Sequence, residues 1–222
     1  MGMTRTHWAA VTAVVLALLF AGAATVASAG GGTPAASTPS SASADAGFAR
    51  DMSVHHQQAV EMSFVVRDRT DDEEVRRLAY DIANTQANQR GMMLGWLDLW
   101  GLPKVEAGSE PMAWMHGDGG TSGHAGHGGA ADDAEDAPLM PGMATKAEMA
   151  KLAGLDGKEA EIYYLQLMIT HHNGGVAMAE GCVRLCEVGT ERSLAQGMVD
   201  AQRSEVELMV GLLKKRGAQP LV

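Results

Sequence analysis

Residues 48–101 align with residues 164–217 at a constant offset of 116 positions and without a gap. The identities fall on uncommon residue types: Met52 with Met168, His55-His56 with His171-His172, Met62 with Met178, Arg76 with Arg192, Gln86 with Gln202, Met93 with Met209 and Gly101 with Gly217. Roughly a quarter of the pairs are identical, so one structural unit is written twice. A chain of this kind folds a unit that cannot bury its apolar face alone and then packs two copies against each other.

Each unit reads as an αα-hairpin. At about 100° per residue, Phe48, Met52, His55, Ala59, Met62 and Val66 fall on one stripe, with His56 and Val60 on its flank. The second copy repeats the stripe with Tyr164, Met168, His171, Gly175, Met178 and Cys182, flanked by His172 and Val176. The partner helix of the first unit carries Val75, Leu78, Ile82, Met93, Trp96, Leu97 and Trp100; that of the second carries Leu194, Met198, Val206, Met209 and Leu213. Thr70-x-x-Glu73 and Thr145-x-x-Glu148 read as capping boxes, Asp156-x-x-Glu159 as a helix start, Thr190 as an N-cap, and Gly101 and Gly217 as helix stops. No segment alternates like a strand. The expected fold is all-α: a four-helix bundle of two αα-hairpins with a pseudo-twofold axis and a long irregular crossover.

Outside the repeats the composition changes. Residues 1–29 hold Arg5, an apolar run and an Ala27-Ser28-Ala29 ending, the pattern of a secretory signal peptide. Export places the protein outside the cytoplasm; an uncleaved leader would instead anchor it in the membrane. Residues 30–47 are rich in Gly, Ser, Thr, Pro and Ala and read as a flexible tether. Repeat one spans 48–101, a Met/His-rich acidic linker 102–144, a short helix 145–155, repeat two 156–217, and a tail 218–222. The formal charge of −10 leaves no cationic surplus to displace counterions, which argues against a nucleic acid partner.

The paired histidines carry the chemistry. Met52 lies three and four residues before His55 and His56, and Met168 stands in the same relation to His171 and His172, so thioether and imidazole share one turn twice over. With Met62 and Met178 one helical stripe further on, these eight residues are the candidate metal ligands. Thioether favours Cu(I) and imidazole suits copper in both states, so copper, as Cu(I) before Cu(II), is the expected cofactor. The competing reading is that Met fills the core and the histidines are structural. Gln86 and Gln202 are candidate outer partners, able to accept an imidazole N–H; the alternative has them facing water. No Glu-x-x-His occurs in the duplicated helices, which disfavours a di-iron site.

A secondary donor set lies in the linker: Met112, Met115, His116, His124, His127, Met140 and Met143. Cys182 and Cys186, four residues apart near a helix end, read as a local disulfide, with a Cu(I)-binding thiolate pair as the competitor.

The segments FARDMSVHHQQAVEMS and YLQLMITHHNGGVAMAE resemble the His-His helix of the domain of unknown function 305 family, mostly exported bacterial proteins with a ferritin-like helical bundle. MLGWLDLWGLP, PMAWM, MPGM and the Cys-x-x-x-Cys segment are similar to its actinobacterial members. Some members bind copper or confer copper resistance outside the cytoplasm, and the resemblance implies that role here, carried by Met52, His55, His56, Met62 and their second-unit counterparts. The functional expectation is copper binding or sequestration without catalysis, since no nucleophile and base constellation is present. The alternative is a metal-free envelope interaction module whose partner is an envelope protein or a second copy of the chain.

Overall fold

The computed structural model describes residues 38–116 and 136–221. Five α-helices follow in order: α1 (Ala44–Arg67), α2 (Glu73–Trp100), α3 (Lys146–Gly154), α4 (Gly157–Leu185) and α5 (Gly189–Lys215), with a 3-10 turn at Ala113–Met115. Among the described residues there is no strand, and no helix is long and apolar enough to cross a membrane. The signal-peptide segment and residues 30–37 of the tether lie outside the described residues.

Helices α1 and α2 form one hairpin, α4 and α5 the other, and α1 packs on α4 between them. The C-terminal half of α1 shares an apolar cluster with the N-terminal half of α4, where Met62, Val66, Tyr164 and Met168 meet. The N-terminal half of α1 shares a second cluster with the C-terminal half of α4, where Phe48, Met52, Met178 and Cys182 meet. The two central helices are therefore antiparallel. All of Phe48, Met52, His55, Ala59, Met62 and Val66, and all of Tyr164, Met168, His171, Met178 and Cys182, are completely buried. The predicted stripes are thus the contact faces of α1 and α4. Trp96 and Trp100 are only half-buried, stacked on each other along α2.

The repeat extends to the ends of the hairpins. Gly101 and Gly217 both adopt the left-handed conformation (φ 68° and 75°). Each closes its helix with the same bond, Leu102 N–H to Leu97 O and Ala218 N–H to Leu213 O. Arg76 donates to the carbonyls of Arg67 and Thr70 at the first turn, and Arg192 to those of Cys186 and Glu187 at the second.

Several helix starts differ from the sequence expectation. Helix α1 begins at Ala44, inside the stretch assigned to the tether, because Ser43 caps it (Ala46 N–H to Ser43 Oγ, 3.2 Å) and Ala46 is buried. Helix α2 is capped by Asp72, whose carboxylate accepts from Val75 N–H at 2.9 Å. Thr70 instead donates to Glu161 on α4 at 2.6 Å, because a buried carboxylate there needs a donor. Thr145 and Glu148 do form the expected capping box of α3. Asp156 precedes α4 without a side-chain cap.

Helix α5 starts at Gly189, one residue before the expected Thr190 cap, and its capping group comes from elsewhere in the chain. Asp45 of α1, 2 % exposed, accepts from Glu187 N–H at 3.0 Å and Val188 N–H at 2.7 Å. A carboxylate at the N-terminus of a helix satisfies orphan donors and complements the helix dipole. Asp45→Ala should therefore lower stability by about 1–2 kcal/mol, read as a shift in the urea midpoint. An unchanged midpoint would mean that solvent supplies the cap equally well.

Candidate metal centre

Both His-His pairs sit at the middle of the α1–α4 contact, and His55, His56, His171 and His172 are all completely buried. His55 and His171 face each other across the pseudo-twofold axis, with ring centroids 3.8 Å apart and planes tilted by 35°. His171 and His172 centroids are 6.4 Å apart.

Every Nε2 has an oxygen acceptor. His171 Nε2–H donates to the backbone carbonyl of His55 at 3.0 Å, and His55 Nε2–H to that of Pro141 at 3.2 Å. His56 Nε2–H donates to Gln89 Oε1 at 2.9 Å, and His172 Nε2–H to Glu205 Oε2 at 2.6 Å. A neutral imidazole that donates from Nε2 presents a lone pair on Nδ1. All four Nδ1 atoms are buried and have no hydrogen-bond partner.

The neutral state follows from the surroundings. Burial pushes His55 down to about 4, with the bond to Pro141 opposing the shift and the charge of His172 adding to it. Burial also pushes His56 down to about 3, helped by the charge of His55 and opposed by the bond to Gln89. His171 lies well below the ordinary histidine range, first through burial and then through the three neighbouring imidazoles. The unprotonated nitrogens of His55, His56 and His171, buried without donors, suit a cation, and the carbonyl and amide oxygens behind them fix the tautomer as outer partners of metal-bound histidines do.

Those outer partners are not the ones the sequence suggested. Gln86 and Gln202 are buried, but Gln86 Oε1 and Nε2 and Gln202 Oε1 have no hydrogen-bond partner, and neither side chain reaches an imidazole. Gln202 lies instead against Gly175: a Cβ there would be 2.5 Å from Gln202 Oε1. Gln89 and Glu205 take the imidazole N–H, each 33 residues after its histidine. They are repeat mates, so the alignment held a signal; their different chemistries concealed it.

The thioethers divide into two groups. Met52 and Met178 lie in the apolar cluster on one side of the histidines, Met62 and Met168 in the cluster on the other. Ten residues separate Met52 from Met62, about 15 Å along a helix, so the eight candidate ligands cannot surround one ion. Each side offers one thioether from each unit. Among the described residues, the imidazoles do not form a group of three or more that could share one ion. The arrangement therefore provides low-coordinate sets, imidazoles with Met52 or Met168 one turn before them on the same helix, of the kind that a soft monovalent ion accepts.

The linker contributes differently from expectation. His124 and His127 lie outside the described residues. His116 is exposed, while Met140 is buried and Met112 and Met143 pack on the Met52–Met178 cluster as apolar residues. Met115 packs against Gly181. Asp51 holds this segment down, accepting from Met112 N–H at 2.8 Å and Trp114 Nε1–H at 2.9 Å. Gln58 clamps the other end through Ala144, with its amide donating at 2.8 Å and accepting at 2.7 Å. The linker thus brings Pro141 over the histidines. Cys182 and Cys186 are joined as a disulfide at the end of α4, with Cα atoms 4.8 Å apart.

The family model described as domain of unknown function DUF305 matches residues 45–213. A DUF305 protein from Streptomyces coelicolor, described as a candidate secreted protein, has a crystal structure 62% identical in sequence. It covers 82% of this chain and 99% of its own, with a TM-score of 0.72. A DUF305 fragment from Deinococcus radiodurans is 31% identical over 78% of this chain and 96% of its own, with a TM-score of 0.59. CopM in its Cu(I)-bound form is 18% identical over 77% of this chain and 96% of its own, with a TM-score of 0.54, and shares the fold. Cu(II)-bound and silver-bound forms of CopM match as well. No curated protein matches the chain.

Proposed function

We propose that this chain, which belongs to the DUF305 family, is an exported protein that binds and sequesters copper, as Cu(I) before Cu(II), through the buried histidines and the thioethers beside them. The observation that carries the reading is the set of four buried Nδ1 atoms without a hydrogen-bond partner, those of His55, His56 and His171 on neutral rings. Leaving such buried nitrogens unpaired is unfavourable, and bound cations relieve it. Thioether on either side selects a soft ion over a hard one. CopM, of the same fold, is described in copper-bound and silver-bound forms, which supports a metal as the ligand class. The signal-peptide pattern of residues 1–29 supports export. The protein acts on this reading as a reservoir and not as an enzyme.

Titration of the purified protein with Cu(I) against a chromophoric chelator tests the proposal. Binding tight enough to compete at sub-micromolar free metal is expected. The variant His55→Ala/His56→Ala/His171→Ala/His172→Ala should lose at least about tenfold in affinity, whereas replacing His116, His124 and His127 by Ala should change it little. The opposite order would move the site to the linker, and an absence of competition by the unaltered protein would remove the function.

A further inference from the structure

We infer that Cys182, Cys186 and Glu191 form a second metal site, opened by reduction of the disulfide, that takes a thiophilic divalent ion of the zinc class. The two sulfurs and a carboxyl oxygen of Glu191 all lie within 4.8 Å of one another, and all three residues are buried. Glu191 is fully enclosed, and no donor reaches either carboxyl oxygen. A buried carboxyl group without a donor is costly, and here it lies within 4.8 Å of two sulfurs, beside the Asp45 carboxylate and the apolar cluster that holds both cysteines.

Comparison of the two units sharpens the point. Cys182, Cys186 and Glu191 occupy the positions that Val66, Thr70 and Val75 hold in the first unit. Packing at the equivalent place is met there without a thiol or an acid: Val66 and Val75 are completely buried in the other apolar cluster. The second unit has three metal-ligating groups at one spot where the first has none that would ligate a soft ion. A local disulfide accounts for two of these differences but not for Glu191, a second buried acid placed against Asp45.

Burial, then the negative charge of Asp45 beside it and a hydrogen bond between the two carboxyl groups, pushes the Glu191 carboxyl up to about 9. A divalent ion would remove that penalty by replacing the proton. Zinc bound by thiolates at about 2.3 Å in a tetrahedron holds its sulfurs roughly 3.8 Å apart, within the spread of the three donors. The site is distinct from the histidine centre: Cys182 is eleven residues from His171 along α4, about 16 Å.

The chemistry requires a dithiol reductant. By thiol–disulfide exchange the Cys182–Cys186 bond breaks, the reductant's two thiols become a disulfide, and two electrons and two protons end on the cysteines. The ion then binds both thiolates and the Glu191 carboxylate, and the two thiol protons and the carboxyl proton pass to water. Water or a further side chain completes the coordination. Exchange with the disulfide form of that reductant reverses the sequence: this disulfide takes up the two electrons, and two protons from water, to become a dithiol, the Cys182–Cys186 bond re-forms, Glu191 regains a proton from water and the ion is expelled, so occupancy reports the thiol redox state.

The test uses the purified protein, oxidised or treated with dithiothreitol and desalted without oxygen, with Cd(II) as a spectroscopic probe and Zn(II) for affinity. The reduced protein should give two free thiols, one equivalent of Cd(II) with thiolate-to-metal charge-transfer absorption, and at least tenfold tighter Zn(II) binding than the oxidised protein. Cys182→Ser should abolish the absorption. Glu191→Gln, which keeps the disulfide and the volume, should weaken Zn(II) binding about tenfold in the reduced state. His55→Ala/His171→Ala should leave the Cd(II) absorption intact, which separates this site from the copper centre. A disulfide that stays closed in the folded protein under excess dithiol, equal Zn(II) affinity in both redox states, or an unchanged affinity in Glu191→Gln would each overturn the inference.

Discussion

Acidifying the metal-free protein from pH 6.5 to about 4.5 should destabilise it steeply, by about 3 kcal/mol per pH unit. His55 and His56 take up protons in the folded state only near 4 and 3, and His171 well below its ordinary value, because burial disfavours the imidazolium. In the unfolded chain the same groups protonate near 6.5. Between those limits the unfolded state binds about three more protons, so stability is fully present above pH 6.5 and is lost as the pH falls toward the folded values. Glu191 works in the opposite direction, since its folded value near 9 exceeds the ordinary glutamate value of 4.5. The folded state holds that extra proton between pH 4.5 and 9, which offsets one of the three histidine protons below 6.5 and erodes stability above it. The stability maximum is therefore expected near pH 6.5, with net stabilities of 5–15 kcal/mol typical of a domain exhausted within a few units of acid. Urea midpoints measured between pH 4.5 and 8.5 check this. A flat profile below pH 6.5 would show that the imidazoles are hydrated or already protonated, and would undercut the copper centre as well.

Gly174→Ala should be the most damaging single methyl in the protein. A Cβ on Gly174 would run into the carbonyl of Pro141, 2.6 Å from its carbon, and sit 2.9 Å from Cα of Gly142. Both neighbours are backbone, and Gly142 is itself held at φ 81° with its own Cβ direction blocked by Thr170 O at 2.5 Å. Nothing flexible can yield, so the 140–144 segment must lift. It would take with it the acceptor of His55 Nε2–H and the Gln58 clamp on Ala144. Overpacking of this kind costs about 1–3 kcal/mol, and the lost hydrogen bonds add about 1 kcal/mol each. Gly197→Ala is the matched control: it lies within α5 with nothing within 4 Å of its Cβ direction and should be neutral or stabilising by up to about 1 kcal/mol. Thermal melts and limited proteolysis of the linker compare the two. Equal behaviour would mean that the linker does not rest on α4 in solution. If it does rest there, Gly174→Ala should also weaken Cu(I) binding, because His55 loses the carbonyl that fixes its tautomer.

Much of this architecture could be read from the residues alone. The period of apolar positions in 48–66 and 164–182 fixed which faces of α1 and α4 are buried, since a helix places every third or fourth residue on one side. Gly101 and Gly217 marked helix ends because only glycine takes the left-handed conformation there without penalty. The offset of 116 residues paired the two hairpins and put both His-His pairs on one axis. These are properties of local geometry and of a pattern repeated in order along the chain.

Tertiary structure alone decided the rest. That Gln89 and Glu205, and not Gln86 and Gln202, reach the imidazoles depends on how α2 and α5 are rotated against α1 and α4. One step along a helix turns a side chain by about 100°, so three residues mark the difference between contact and a miss. Asp45 caps a helix that begins more than 140 residues later, and Pro141 reaches His55 across a gap of 86. The division of the four methionines into two clusters follows from the antiparallel crossing of α1 and α4, which sets Met52 beside the end of α4 that carries Met178. Such contacts join groups with no sequence relation. Polar atoms removed from water take whatever partner the packed backbone brings within reach, and that choice is made only when the helices dock.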